Sequence, residues 1–554
     1  MGLIVLVLIT SIFVIQTQGK YTYELKPFKT YHQILKFFRN NIGEIFVYMG
    51  EITKNAGSQD FSRTNIQVEG VDEPDFVKTD GEYIYMVTNQ KIYIVKAYPN
   101  ASISSKIFLD IEPISIFINK EYLIVFCHSY GDIKYKNYSR SFPTTFIKIY
   151  NVSDRKNPKL IEDIEIDGRY FGARMLDDYI YILTKEYPYD IYLVHDGIEI
   201  LNLPKIKINN KTESIPINCI YYIDMPYTIE HITNVIAISI RGKIVDQKSF
   251  VIGNVQTMYV SKYNIFLACR KYGYEERTII HKISIKNGKI SYKAIGEVLG
   301  KVLNQFSMDE YNGFFRIATT IGYSWANSSN NIYILDGNLS IVGKLENIAV
   351  GEEIYSARFI GNKAYLVTFK RIDPFFVINL SNPYRPKILG KLKIPGYSDY
   401  LHPYDENYII GIGKDAGITE GIKIALFNVT NPNEPKEIDK VVIGSRGTDS
   451  LALHDHKAFL FDRKKELLVI PVRIHEICKE TNYSRKFVFQ GAYVYKLNLS
   501  GFKFKGRITH LIYWDYASFI KRALYIDNIL YTISNKMIKM NDLDTLEEIG
   551  RILL

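Results

Sequence analysis

Three cations occupy one repeated position in this chain. Lys78, Arg174 and Arg358 each stand seven residues before a tyrosine, at Tyr85, Tyr181 and Tyr365. Each tyrosine lies in an apolar stretch alternating with period two, so each cation falls on the strand before it. A looser alignment brings Asp309, His402 and Tyr259 to the equivalent place. Charges that recur at one level have two uses. They line a polar pocket on which a ligand converges, or they pair across neighbouring elements, because buried charge must be compensated. Lys78, Arg174, Arg358, Asp309 and His402 are therefore the ligand-binding candidates.

Catalytic signals are sparse. Asp309, Asp405, Glu406 and His402 could supply acid/base pairs, but neither G-x-S-x-G nor H-E-x-x-H occurs. The glycines 411, 413 and 417 follow strand and turn patterns and do not open a helix, so they make no nucleotide loop. The His454-Asp455-His456 triplet has metal-ligand types, yet it aligns with a polar turn between strands. Asp72, Glu73 and Asp75, with Asp80 close by, offer the oxygens that calcium takes, although at no known loop spacing. A solvated or arginine-paired acidic turn is the other reading of that cluster. The four cysteines form no CxxC, and Cys127 and Cys269 lie inside apolar strands as small hydrophobes.

The elements that must position these residues repeat. YNVSDRKNPK from Tyr150, INLSNPYRPK from Ile378 and FNVTNPNEPK from Phe427 are one phrase used three times. Each is a strand end, an Asn-X-Ser/Thr turn, and a proline that belongs in the connection to the next strand. GARMLDDYIYILT from Gly172 aligns without gaps on SARFIGNKAYLVT from Ser356, and VKTDGEYIYMVT from Val77 matches the latter part. Joining the phrases yields a four-strand unit, with nine candidate copies starting near residues 75, 114, 171, 255, 304, 354, 398, 448 and 521. Four-stranded sheets at this period are propeller blades, and a blade buries both faces only by stacking in a ring. The fold expected is all-β, a single large β-propeller of eight or nine blades over residues 64–554. A short helix opened by the capping pattern Thr30-x-x-Gln33 precedes it, within a helix-and-linker segment at 20–63.

TNIQVEGVDEPDFVKTDGEYIYMVT, from Thr64 to Thr88, resembles the hallmark of archaeal and bacterial secreted proteins with a C-terminal β-propeller distantly related to WD-repeat proteins. Asn304–Thr320, Gly343–Phe369, Ile394–Gly413 and His454–Asp462 extend the resemblance over nearly the whole chain from residue 64. It implies export and a propeller, and it implies no activity.

Composition and targeting agree. Aromatics make up 14% of the 554 residues, with 44 tyrosines, as half-buried strand surfaces require. The net charge of +10 is spread without a basic block, which excludes a nucleic-acid stripe. Leu3–Ile15 is an apolar run of signal-peptide length, so residues 1–19 read as a signal peptide or an uncleaved anchor, the one membrane attachment expected. Ten Asn-X-Ser/Thr sequons exceed the roughly four expected by chance. Asn100, Asn137, Asn210, Asn327, Asn482 and Asn498 are the glycosylation candidates; Asn151, Asn379 and Asn428 recur at the turn of the repeated phrase. The reading is an extracellular or cell-envelope propeller that binds a glycan, protein or small molecule without catalysis and without a cofactor. A propeller hydrolase or lyase on extracellular polymer and a purely architectural envelope protein are the alternatives.

Overall fold

The computed structural model describes residues 24–41, 62, 64–135, 138–187, 192–195, 198–209, 211–223, 231–271, 275–322, 327–369, 373–416, 420–477 and 485–554. Residues 1–19, Asn137, Asn210, Asn482, Cys478 and Gly417 lie outside them.

Apolar residues at alternate positions and tight polar turns produce strands that pair with their sequence neighbours. Among the described residues these make nine blades, at 77–108, 113–167, 169–251, 255–299, 308–348, 353–394, 397–443, 460–508 and 522–553. Seven of them are sheets of four antiparallel strands; blade 2 is widened to six by Lys205–Ile208 and Lys211–Ser214, and blade 3 to six by Ile220–Ile223, which runs parallel to its neighbour, and Leu25–Pro27. Each inter-blade interface has its own apolar cluster. The seam between the last and first blades is one of them, with Leu524, Tyr531 and Ile538 packed against Val77, Ile84 and Tyr93. The ring therefore closes by side-chain packing and exchanges no strand at the seam. Eight of the nine strand blocks begin within about five residues of the repeat starts. Blade 8 differs, because its inner strand is Leu460–Asp462 and two short 3-10 turns, Leu451–Leu453 and His456–Ala458, occupy the stretch before it.

The repeated phrase has a structural cause. In blades 2, 6 and 7 it joins the third strand to the fourth. Asn151, Asn379 and Asn428 each accept the backbone N–H two residues on, at 2.8–2.9 Å. Asp154, Asn382 and Asn431 repeat the device three residues later. Pro386 and Pro435 each end this connection directly before a fourth strand, in consecutive blades. The double Asx turn also sets blade spacing. A Cβ on Gly343, in the outer strand of blade 5, would lie 2.0 Å from the carbonyl oxygen of Pro383 in blade 6, and Gly390 bears the same relation to Pro432 at 2.5 Å. Only glycine admits that approach.

The helix Tyr31–Asn41 starts where Thr30 Oγ1 accepts the Gln33 N–H and Gln33 Oε1 reaches back to the Lys29 N–H. Its buried Ile34 and Phe38, with Phe28, pack on Leu201, Ile215 and Ile220, which lie between the second and third strands of blade 3. Leu25–Pro27 adds an outermost strand to that blade through Ile220–Ile223. No described helix is long and apolar enough to cross a membrane.

Candidate functional site

The segment leading into blade 1 does not lie outside the ring. Ser62 exchanges hydrogen bonds with the backbone of Tyr525 on the inner strand of blade 9. Asn65 Nδ2 donates to the Tyr400 hydroxyl of blade 7 at 3.0 Å and to the His456 carbonyl ahead of blade 8 at 2.9 Å. Gln67 Nε2 reaches the Gln305 and Met308 carbonyls at blade 5. Val71 enters the core between blades 3 and 4. Asp72 then bridges Met175 of blade 3, and Asp75 bridges Ile116 of blade 2. Inner strands surround the central channel, so a segment that bonds to so many of them fills it. This segment is the phrase TNIQVEGVDEPDF, and it acts as a plug.

The five ligand-binding candidates all lie on inner strands, and the plug meets three of them. Lys78 Nζ lies 2.7 Å from Asp72 Oδ1, and Arg174 Nη2 lies 3.7 Å from Glu73 Oε2 with its other contact to Gln305. Asp75 receives Arg522, the first residue of blade 9's inner strand, at 3.0 and 3.3 Å. The three plug carboxylates considered for calcium thus each face a cation from a different blade. Among the described residues no group of three or more His, Cys, Asp or Glu side chains is placed to hold a metal. Asp309 is taken by Arg316 of its own blade, and burial raises its carboxyl above the ordinary range while Arg316 opposes the shift.

Arg358 is different. It is 8% exposed, no carboxylate oxygen lies within 4.0 Å of it among the described residues, and its guanidinium sits 4.9 Å from the centre of the Phe306 ring. Nη2 makes one long contact, 3.4 Å to the Gln67 carbonyl, and Nη1 has no hydrogen-bond partner among the described residues. Its charge reaches Asp309, Tyr400 and His402. The axial cations Lys78, Arg174, Arg316, Lys457 and Arg522 are met by Asp72, Glu73, Asp309, Asp455 and Asp75. Among the described inner-strand residues, Arg358 is the buried cation that no carboxylate meets.

His402 hydrogen-bonds the Tyr400 hydroxyl at 3.1 Å and lies among Phe459 and Phe461. Burial, with Arg358 second, pushes its ring down to about 3, so it is neutral at physiological pH. Asp405 caps the turn before Tyr408 and pairs with Arg463 at 3.0 Å, while Glu406 is exposed. Among the described residues no hydrogen bond or ion pair joins His402 to Asp309, Asp405 or Glu406, and Asp309 and Asp405 are engaged by arginines. A cavity of ≈ 30 Å³ beside the plug, bounded by Asn65, Asp75, Lys78 and Arg522, has room for water and not for a ligand.

A model of the beta propeller domain matches residues 61–546. The chain belongs to that family. Family relatives include an uncharacterized protein of Methanocaldococcus jannaschii, 32% identical over 86% of this chain and 80% of that one. Another, from Archaeoglobus fulgidus, is 27% identical over 89% of this chain and 85% of its own length. Among solved structures, the C-terminal WD40 domain of Sif2 shares 9% identity at a TM-score of 0.30, covering 55% of this chain and 73% of that one. The periplasmic gluconolactonase PpgL of Pseudomonas aeruginosa shares 10% at 0.34, covering 58% and 91%.

Nothing in the repeat pattern marks Arg522, Asp455 or the plug, because their partners are far away in the chain. The same holds for a second charged group where blades 7 and 8 meet. Asp449 lies within 4 Å of Lys414, His454 and Arg473. The hydrogen bond from His454 holds Asp449 below the usual carboxylate range and raises the histidine, while burial pushes nearby Asp399 up to about 7. The His-Asp-His triplet divides accordingly: His454 faces this group, Asp455 joins Arg522, and His456 is buried 3.9 Å from Glu73.

Of the glycosylation candidates within the described residues, Asn100 and Asn327 are exposed. Asn498 is half-buried and its side chain accepts the Ser500 N–H, the same kind of Asx turn that Asn151, Asn379 and Asn428 make.

Proposed function

We propose that this propeller is an exported, non-catalytic binding protein of the cell envelope, and that its ligand presents an anionic group to Arg358. One observation carries the reading. Arg358 is a buried guanidinium with an open donor, whereas Lys78, Arg174, Arg316, Lys457 and Arg522 among the described residues are each matched by a carboxylate. Leaving a buried charge unpaired costs several kcal/mol, by order of magnitude, so a site that retains one is poised for a counter-ion. Support for export comes from the signal-length run Leu3–Ile15 and the excess of sequons. Acidic sugars of envelope glycans fit both features.

Calorimetric titration of the mature protein with glucuronate and with glucose tests the proposal. Glucuronate should bind, more weakly as salt rises, and Arg358→Gln should abolish that binding while glucose has no effect. Equal binding of glucuronate by wild type and Arg358→Gln would refute the assignment. N-terminal sequencing of the native protein should show a start near residue 20; an intact Met1 in a cytoplasmic fraction would refute export.

A further inference from the structure

The connection from blade 8 to blade 9 carries an aromatic surface that neither the ring nor the axial site uses. Within it Ile512 is 85% exposed, Tyr513 71%, Tyr516 65% and Trp514 49%. Phe487, from blade 8, meets Trp514 edge to face at 4.3 Å, and Trp514 meets Phe519 and Tyr516 at 5.4 and 5.3 Å with interplanar angles of 90° and 79°. Near-perpendicular contacts hold the rings in place, each covering one face of one partner, and the exposure that remains on Tyr513, Tyr516 and Trp514 is the ring surface left open to solvent.

The base of this surface is tied down at both ends. Gln490 donates to the Ile520 carbonyl and accepts the Ile520 N–H, both at 3.0 Å. His510 is buried between the Ser534 and Thr532 hydroxyls at 2.9 Å. Asp515 accepts the Ala517 N–H and the Ser518 hydroxyl, and Lys536 lies 2.8 Å from its carboxylate. A loop free to rearrange would turn these rings inward, because exposed apolar area costs about 25 cal/mol per Å². Pinned as it is, it presents a rigid platform, and contiguous exposed apolar surface marks a binding site.

We infer that the Trp514–Tyr516 platform binds neutral polysaccharide. A pyranose has one flat C–H face, which packs on an aromatic ring, and a rim of hydroxyls that needs donors and acceptors beside that ring. Both are here: ring faces on Trp514, Tyr513 and Tyr516, and phenol, carboxylate and ammonium groups between them. The charges match an uncharged ligand. Asp515 and Lys536 neutralise each other, so the pair offers no net charge to hold an anionic lipid surface. The platform is separate from Arg358 and does not depend on the reading of that residue.

The test uses the mature protein in a Trp325→Phe background, which leaves Trp514 as the sole tryptophan, since the chain has two. Titration with soluble neutral polysaccharides (mannan, laminarin, xylan) should quench or shift its emission for at least one of them. Tyr513→Ala and Tyr516→Ala, which remove exposed rings and leave the melting temperature unchanged, should each weaken binding about tenfold. Arg358→Gln should leave it unaltered. Absence of any spectral change with all three polymers, or equal binding by Tyr513→Ala, Tyr516→Ala and the parent, overturns the inference. So does binding to phosphatidylglycerol vesicles, or self-association lost on Trp514→Ala, in place of polysaccharide binding.

Discussion

Arg522 is the residue whose loss should be felt most. It is 5% exposed and its guanidinium contacts two carboxylates at once, Asp75 at 3.0 and 3.3 Å and Asp455 more closely still. Asp75 lies at the end of the plug, two residues before blade 1, and Arg522 opens blade 9, so the cluster clamps the plug, the last blade and the seam together. Arg522→Gln would leave Asp75 without its guanidinium in a site 1% exposed. Removing one partner of a buried pair costs about 3–5 kcal/mol. For a cooperative unit of about 490 residues the unfolding entropy is about 1 kcal/mol/K, so the melting temperature should fall by about 3–5 °C. Calorimetry reads the shift, and hydrogen exchange should show faster opening of the strand Arg522–Ile526 than of the inner strands of blades 4 and 5. Lys120→Gln is the control: its pair with Asp178 is 61% and 55% exposed, and surface pairs contribute about 0–1 kcal/mol. If Arg522→Gln melts within 1 °C of wild type, or if exchange rises evenly around the ring, the clamp argument fails.

Burial pushes His281, His402 and His510 down to about 3 and His231 to about 4. Their contribution is complete above the unfolded value near 6.5 and is lost as pH falls toward 4. The melting temperature should therefore drop between pH 6 and 4, and His281→Asn should flatten that drop. Asp399 has the opposite sign, since a carboxyl raised to about 7 contributes stability below its unfolded value of 3.8 that is lost as pH rises through 7. Asp399→Asn should then melt higher than wild type at pH 8 and equal it at pH 4; a difference of the same size at both would count against the burial. Gly343→Ala places a Cβ against the Pro383 carbonyl and should destabilise by about 1–3 kcal/mol in urea unfolding. Gly337→Ala, which meets nothing within 4 Å, should be neutral.

Local pattern settled more here than it does in most folds. Period-two alternation, polar turns and a phrase used three times determine most blades one by one, because seven of the nine pair only strands that are neighbours in sequence; blade 3 pairs its second and third strands across an insertion, and blade 2 takes two extra strands from that insertion. Asn379 and Pro386, or Asn428 and Pro435, act on backbone groups a few residues away, so their role can be read from the chain alone. Eight blades or nine was a question about closure, and only the apolar cluster joining Leu524 to Val77 answers it.

The axis was another matter. Lys78, Arg174 and Arg358 occupy one register and are alike in sequence, yet Asp72 meets the first, Glu73 the second, and no carboxylate among the described residues the third. Partners on a segment that crosses the channel leave no trace in a repeat alignment, since that segment is itself unrepeated. Charge and period belong to the sequence; which charge is cancelled depends on where a thirteen-residue plug comes to rest among nine inner strands.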